Sequence, residues 1–276
     1  MIDVLIAVGI LFAIGVIAAV VLALASHYMA VPVDEKASAL RECLPGANCG
    51  ACGYTGCDGY AEALAKGEAA PNLCIPGGAS AALGISEILG VEASVSEKRV
   101  AYVHCNGTPD VTDKASDYDG YRTCAAMCLV CGGPNSCKFG CLGCGDCAAV
   151  CPTNAICVKD GVARINPTKC IACGKCVKTC PKHIISLIPA DAKVAVSCSS
   201  KDAGAATRKK CTNGCIACRK CEKTCPNGAI TVENNLAKID YSKCTGCGMC
   251  HDACPVKCIS SIGDVVTVVE SDEEFR

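Results

Sequence analysis

One spacing occurs four times in this chain. Cys141, Cys144, Cys147 and Cys151 stand two, two and three residues apart, and Pro152 follows. Cys170, Cys173, Cys176 and Cys180 repeat the pattern before Pro181. Cys215, Cys218, Cys221 and Cys225 repeat it before Pro226, and Cys244, Cys247, Cys250 and Cys254 before Pro255. Within each pair the copies are 29 residues apart, and the second pair is offset from the first by 74. Three cysteines at three-residue intervals wrap one face of an iron–sulfur cube, while the fourth ligates the other cube of the pair. The proline helps turn the chain there. The spacing therefore predicts four ligand sets. They are Cys141, Cys144, Cys147 with Cys180; Cys170, Cys173, Cys176 with Cys151; Cys215, Cys218, Cys221 with Cys254; and Cys244, Cys247, Cys250 with Cys225.

Cysteine is abundant elsewhere too, at 30 of 276 residues. A secreted disulfide scaffold wants a short chain in an oxidising compartment, and a zinc array wants separated pairs. Neither fits four tight triplets with matching prolines. The remaining composition is spare, with no Trp, 3 Phe and 27 Gly. Metal binding can supply folding free energy, so clusters are expected to replace part of the core. The formal net charge of −1 omits the clusters. Five oxidised cubes at roughly −2 each would add about −10, which excludes nucleic acid as a partner.

A further group precedes the repeats. Cys49, Cys52 and Cys57 lie among glycines, and Cys74 follows before Pro76-Gly77-Gly78. These four can surround a fifth cube. A short helix is expected over 59–67, ending at Gly67, and a second over 79–89. Between the repeats, 155–158 and 162–165 read as strands around Lys159-Asp160-Gly161, and 230–232 and 237–239 as their counterparts.

Ten cysteines remain. Val103-His104-Cys105 echoes Val196-Ser197-Cys198, and Cys137 precedes Cys141 as Cys211 precedes Cys215. Each pair of copies thus has a lead-in with two further thiols. The first lead-in adds Cys124, Cys128 and Cys131, enough for an extra cube from Cys105, Cys124 and Cys137 with Cys128 or Cys131. Cys198 and Cys211 are spare, or need ligands from elsewhere. Cys43, Cys157 and Cys258 read as packing residues.

The N-terminus carries no charged or polar side chain from Val4 to Ala25. As a helix, those residues span about 33 Å, enough for a hydrocarbon core. Asp3, the lack of an N-terminal Lys or Arg, and the length of the run favour a retained anchor over a cleaved signal. Lys36 and Arg41 follow the span, which places the later domains on the cytoplasmic side of the cell membrane.

Anchor, four-cysteine domain and ferredoxin pairs in this order resemble the B subunits of the Rnf complex, in the longer form found in anaerobes. The resemblance covers essentially the whole chain. It implies a membrane complex that oxidises reduced ferredoxin, reduces NAD and moves sodium ions or protons. In that family this subunit takes electrons from soluble ferredoxin and hands them to other subunits. The chain itself has no strand–GxGxxG–helix unit and no complete active site, so no catalytic residue is expected. Two other readings are a corrinoid-linked methyl-transfer component and a membrane donor that reduces a redox-sensing regulator. The first wants an Asp-x-His-x-x-Gly motif, which none of His27, His104, His183 or His251 forms.

The expected architecture is α+β, with at least five [4Fe–4S] clusters and a sixth or more in the lead-ins. A transmembrane helix occupies 1–30 and a small helical four-cysteine domain 35–95. Two lead-ins with two-cluster ferredoxin-like modules span 100–190 and 191–265, and an acidic tail spans 266–276.

Overall fold

The computed structural model describes residues 2–28, 34–92 and 97–263. The expected acidic tail lies outside the described residues. Helix α1 (Ile2–Tyr28) comes first. Its described side chains run unbroken only from Phe12 to Ala25. Among the described residues, no helix is long and apolar enough to cross a membrane.

Three helices form the next unit: α2 (Glu35–Glu42), α3 (Cys57–Ala65) and α4 (Gly78–Leu89). Asp34 caps α2 by accepting the Lys36 and Ala37 amides, and Glu35 sits in the first turn, where the helix dipole favours it. The two helices expected from the sequence are α3 and α4. Gly90, at φ +69°, ends α4 in the left-handed conformation that a side chain would resist. Leu40, Tyr60, Leu64 and Ile85 are the buried centre of the unit.

The rest of the chain repeats one plan. The first module contains β1 (Arg99–Val103), α5 (Cys124–Leu129), α6 (Asp146–Ala149), β2 (Ile156–Lys159), β3 (Val162–Ile165), α7 (Lys175–Thr179) and β4 (Ile185–Pro189). The second contains β5 (Val194–Val196), α8 (Gly204–Lys210), α9 (Lys220–Thr224), β6 (Ile230–Glu233), β7 (Leu236–Ile239), α10 (Met249–Asp252) and β8 (Ile259–Ser261). Strands β2 and β3 pair with Ile156 opposite Ile165, and β6 and β7 with Ile230 opposite Ile239, the same register 74 residues on. Both turns put two residues at positive φ, Asp160-Gly161 and Asn234-Asn235. That geometry matches the twist of the flanking strands, which is why these residue types occupy the turns.

A second antiparallel pair, which no local sequence pattern announces, closes each module. β1 pairs with β4 from Arg99 opposite Pro189 to Val103 opposite Ile185. β5 pairs with β8 from Val194 opposite Ser261 to Val196 opposite Ile259.

The two modules share a seam. Val100, Tyr102, Ile188 and Ala195 form one buried group across it. The Tyr102 hydroxyl is hydrogen-bonded to Ser197 Oγ at 2.6 Å, and Ser197 Oγ to Ser260 Oγ at 2.7 Å. His104 joins them as well, with Nδ1 2.7 Å from the Val196 carbonyl and Nε2 2.6 Å from Ser186 Oγ. A carbonyl can only accept, so the neutral ring carries its proton on Nδ1. Burial keeps the ring neutral by lowering its pKa.

Ala195 is 0% exposed at this seam. Ala195→Leu should therefore overpack it and lower stability by ~1–3 kcal/mol, read as a lower denaturant midpoint. An unchanged midpoint would mean that the modules do not pack tightly there.

Candidate iron–sulfur centres

The N-terminal unit presents Cys49, Cys52 and Cys57 from a tight loop running into α3, and Cys74 from the loop before α4. Asn48 organises the loop: its Oδ1 accepts the Cys57 amide at 2.8 Å. Burial pushes the Cys74 thiol up, the Gly77 amide pulls it back, and the charges of Cys57, Cys49 and Cys52 push it up again. All four thiols therefore lie close to one another. Tyr60 holds the Cys74 segment in place. Its hydroxyl donates to the Ala70 carbonyl at 2.6 Å and accepts the Leu73 amide at 3.2 Å. Burial raises this phenol to about 12.

Each ferredoxin copy is shaped by two left-handed residues. One lies between the first two cysteines: Gly143, Ala172, Ala217 and Gly246. The other precedes the short helix that carries the third: Gly145, Gly174, Arg219 and Gly248. The two turns fold the loop so that the triplet faces inward.

Cys151, Cys170, Cys173 and Cys176 line one gap of about 320 Å³. Cys215, Cys218, Cys221 and Cys254 line another of about 310 Å³, together with Cys258. Cys141, Cys147 and Cys180 line a third of about 340 Å³, where the fourth thiol is Cys124 and not Cys144. The Cys144 thiol turns to Met127 Sδ at 3.3 Å. For the last set, burial pushes Cys250 up and the charges of Cys244 and Cys225 add to it, so these three are neighbours. Cys247 is exposed. Among the described residues, no three His, Cys, Asp or Glu converge tightly enough to hold a single metal ion. The thiols stand around wider gaps, as a four-iron cube needs.

Backbone amides point at the sulfurs. Ala155 N–H donates to Cys151 Sγ, Ala229 N–H to Cys225 Sγ and Cys258 N–H to Cys254 Sγ, each at 3.3 Å. Such bonds favour the thiolate, the form that binds iron. Burial and neighbouring thiols oppose it, raising Cys147 and Cys176 to about 12. Cys258, expected as a packing residue, does more. Its thiol donates to both Cys215 and Cys254, drawing them down to about 6 and about 5 while its own pKa rises. Cys258 stands where the first module has Ile184, four residues after the fourth cysteine, and a polar residue at that apolar position was the available signal.

The lead-in cysteines do not group as the sequence suggested. Cys105 and Cys137 face Cys198 and Cys211 across a gap of about 420 Å³. Cys124 lies at the first ferredoxin gap instead. Cys128 Sγ points at the Pro181 carbonyl, 3.9 Å away, and Cys131 is exposed. Cys157 is buried on β2.

Gaps ringed by thiols, bonded by backbone amides and repeated in tandem modules, define an iron–sulfur electron-transfer protein. Comparison with known families agrees. An Fe–S cluster family matches residues 44–76, a 4Fe-4S dicluster domain 140–184, another 4Fe-4S dicluster domain 169–230, and a 4Fe-4S binding domain 237–260. The protein therefore holds several [4Fe–4S] clusters. Three relatives cover most of the chain, and each is the B subunit of a membrane-energising oxidoreductase complex. The chain is 46% identical over 263 residues, 95% of its length and 78% of the relative's, to that of the Na(+)-translocating ferredoxin:NAD(+) oxidoreductase complex of Acetobacterium woodii. It is 45% identical over 253 residues, 90% and 89%, to that of the proton-translocating ferredoxin:NAD(+) oxidoreductase complex of Clostridium ljungdahlii. It is 38% identical over 252 residues, 91% and 94%, to that of the ion-translocating oxidoreductase complex of Methanosarcina acetivorans. The chain belongs to the family of B subunits of the ion-translocating ferredoxin:NAD oxidoreductase (Rnf) complex, and it is an electron-transfer subunit.

Tyr60→Phe removes the hydroxyl that ties the Cys74 segment to α3. Losing both bonds should lower stability by about 1–3 kcal/mol. A denaturation midpoint equal to wild type would show that the hydroxyl does not hold that segment.

Proposed function

We propose that this chain takes single electrons from reduced soluble ferredoxin, beside the cytoplasmic face of the cell membrane, and delivers them to other subunits of an ion-translocating complex. The observation that carries this reading is the convergence of thiols from distant parts of the chain on successive gaps within one packed body. A bound [4Fe–4S] cluster supplies reversible one-electron redox chemistry. The protein's own groups do the rest. Thiolates hold each cube, amides balance its charge, and Ile156, Val162, Ile230 and Val232 keep water away from it.

The ligand sets proposed are Cys49, Cys52, Cys57 and Cys74, and the four cross-paired ferredoxin sets. Cys141, Cys147 and Cys180 face one gap, and Cys144 reaches it by turning away from Met127. The charge of Cys49 raises the Cys173 thiol. The N-terminal set is therefore adjacent to the set formed by Cys151, Cys170, Cys173 and Cys176, which makes that module its first electron partner.

Helix α1 is proposed as a single-pass anchor. Phe12, Ile14, Ile17, Val21 and Leu22 are all more than half exposed on it, a surface suited to lipid. Lys36 and Arg41, just past it, favour a cytoplasmic location for the cluster domains.

The test is anaerobic titration of the detergent-solubilised full chain with reduced ferredoxin. Its broad visible absorption should bleach, and deletion of residues 2–28 should move the protein from the membrane to the soluble fraction. A colourless, zinc-loaded chain would sink the reading. Bleaching by dithionite but not by ferredoxin would remove ferredoxin as the donor.

A further inference from the structure

We infer that Cys105, Cys137, Cys198 and Cys211 together hold one additional [4Fe–4S] cluster between the two modules, with each module contributing two thiols. The inference rests on the reading that the motif cysteines carry clusters.

The sequence already pairs these residues, though not with each other. Cys105 follows β1 as Cys198 follows β5, and Cys137 precedes Cys141 by four residues as Cys211 precedes Cys215. In the first module the two lead-in thiols are 32 residues apart, and in the second they are 13 apart. The difference is an insertion that carries Cys124, Cys128 and Cys131. Without it the two lead-ins are equivalent halves, each with too few thiols for a cube.

The structure joins the halves by the same bonds on each side. His104 N–H donates to the Ile184 carbonyl and Ser197 N–H to the Cys258 carbonyl, both at 2.7 Å. These bonds extend the β1–β4 and β5–β8 ladders up to the thiols. Cys105 Sγ accepts the Gly107 amide at 3.4 Å and the Cys141 amide at 3.3 Å. Cys198 Sγ accepts the Ser200 amide at 3.5 Å and the Cys215 amide at 3.3 Å. A motif cysteine, Cys170, is held in the same way, by the Ala172 and Ala101 amides at 3.4 Å each.

The four sulfurs meet around one space. A side chain at Gly107 would come within 3.5 Å of Cys105 Sγ and 4.0 Å of Cys211 Sγ, and one at Gly140 within 3.7 Å of Cys137 Sγ. Cys211 is brought across by a bridge to Thr112, whose hydroxyl donates to the Lys210 carbonyl at 2.7 Å. The resulting gap, about 420 Å³, exceeds the 310–340 Å³ of the gaps lined by motif cysteines. The room is therefore sufficient for the same cube. A packing role would fill such a space with apolar side chains, and here polar residues such as Asn106, Ser199 and Asn213 line it instead.

Because it lies at the seam, a cluster here would link the two modules by a short path. It would also make Cys141 and Cys215 doubly engaged. Each would ligate a ferredoxin cube through its sulfur and donate its amide to a thiolate of the bridging one.

Native mass spectrometry and iron analysis of the full chain in detergent test this directly. Six cubes, about 24 iron and 24 sulfide per chain, are expected. Cys105→Ala and Cys198→Ala should each lose about four iron, and the double variant the same four and not eight. Cys131→Ala should lose none. Five cubes in the wild type, variants that keep all their iron, a loss of eight in the double variant, or a single zinc at the site would each overturn the inference. Should the alanine variants fail to accumulate, the wild-type mass decides, since five cubes overturn it and six uphold it. A wild type with no iron would instead overturn the function proposed above.

Discussion

Each ferredoxin module is built from aliphatic side chains on one side and cysteine sulfur on the other. In the first, Val103, Ile156, Val162, Ile165 and Ile185 pack against Cys105, Cys141, Cys147 and Cys176. In the second, Val196, Ile230, Val232 and Ile259 pack against Cys198, Cys215, Cys221 and Cys250. Sulfur there cannot be ionised cheaply. Burial and the mutual repulsion of thiolates raise Cys147, Cys176 and Cys221 well above the ordinary thiol range. Binding to a cationic iron core is what makes the thiolate favourable, so cluster assembly and folding are one process. The lack of Trp and scarcity of Phe follow from this, because the core volume is reserved for the cubes.

Much of this was legible in the sequence because local rules governed it. Asp160-Gly161 and Asn234-Asn235 accept left-handed backbone, so the hairpins appear where turn chemistry put them. The hairpin at Asn234 is tighter than expected, since β6 extends through Glu233 and β7 begins at Leu236. Helices α3 and α4 were visible from their apolar spacing and their terminal glycines. What escaped was non-local. Strands β1 and β5 are short apolar runs whose partners lie on the far side of a module, and no neighbouring turn announces them. Left-handed Ala172, Ala217 and Arg219 carry no sequence signature, although glycine at the equivalent positions does.

The lead-in cysteines show the same limit. Proximity along the chain grouped Cys105 and Cys137 with Cys124, Cys128 and Cys131. The duplication groups them differently, because the seam sets equivalent positions of the two modules face to face. Tyr102, His104 and Ser197 fasten that seam by hydrogen bonds, which fixes the orientation of one module on the other better than apolar contact alone. The insertion with Cys124 sits beside the first ferredoxin gap and gives the two modules different chemistry at equivalent places. Cys258, replacing the Ile184 of the first module, does the same for the second.

The interleaving of the copies has a consequence for how the protein is made. A ribosome releases β1 first, but its partner β4 emerges only after both ferredoxin copies of that module. Cys151 likewise leaves the tunnel before the triplet at Cys170, Cys173 and Cys176 that shares its gap. Cys215 waits in the same way for Cys254. No ferredoxin gap is complete while its module is half synthesised, so the nascent chain exposes reactive thiols until the second copy is out. Iron delivery is thereby tied to whole modules, and an arrested chain that stops between copies has nowhere to store a cube.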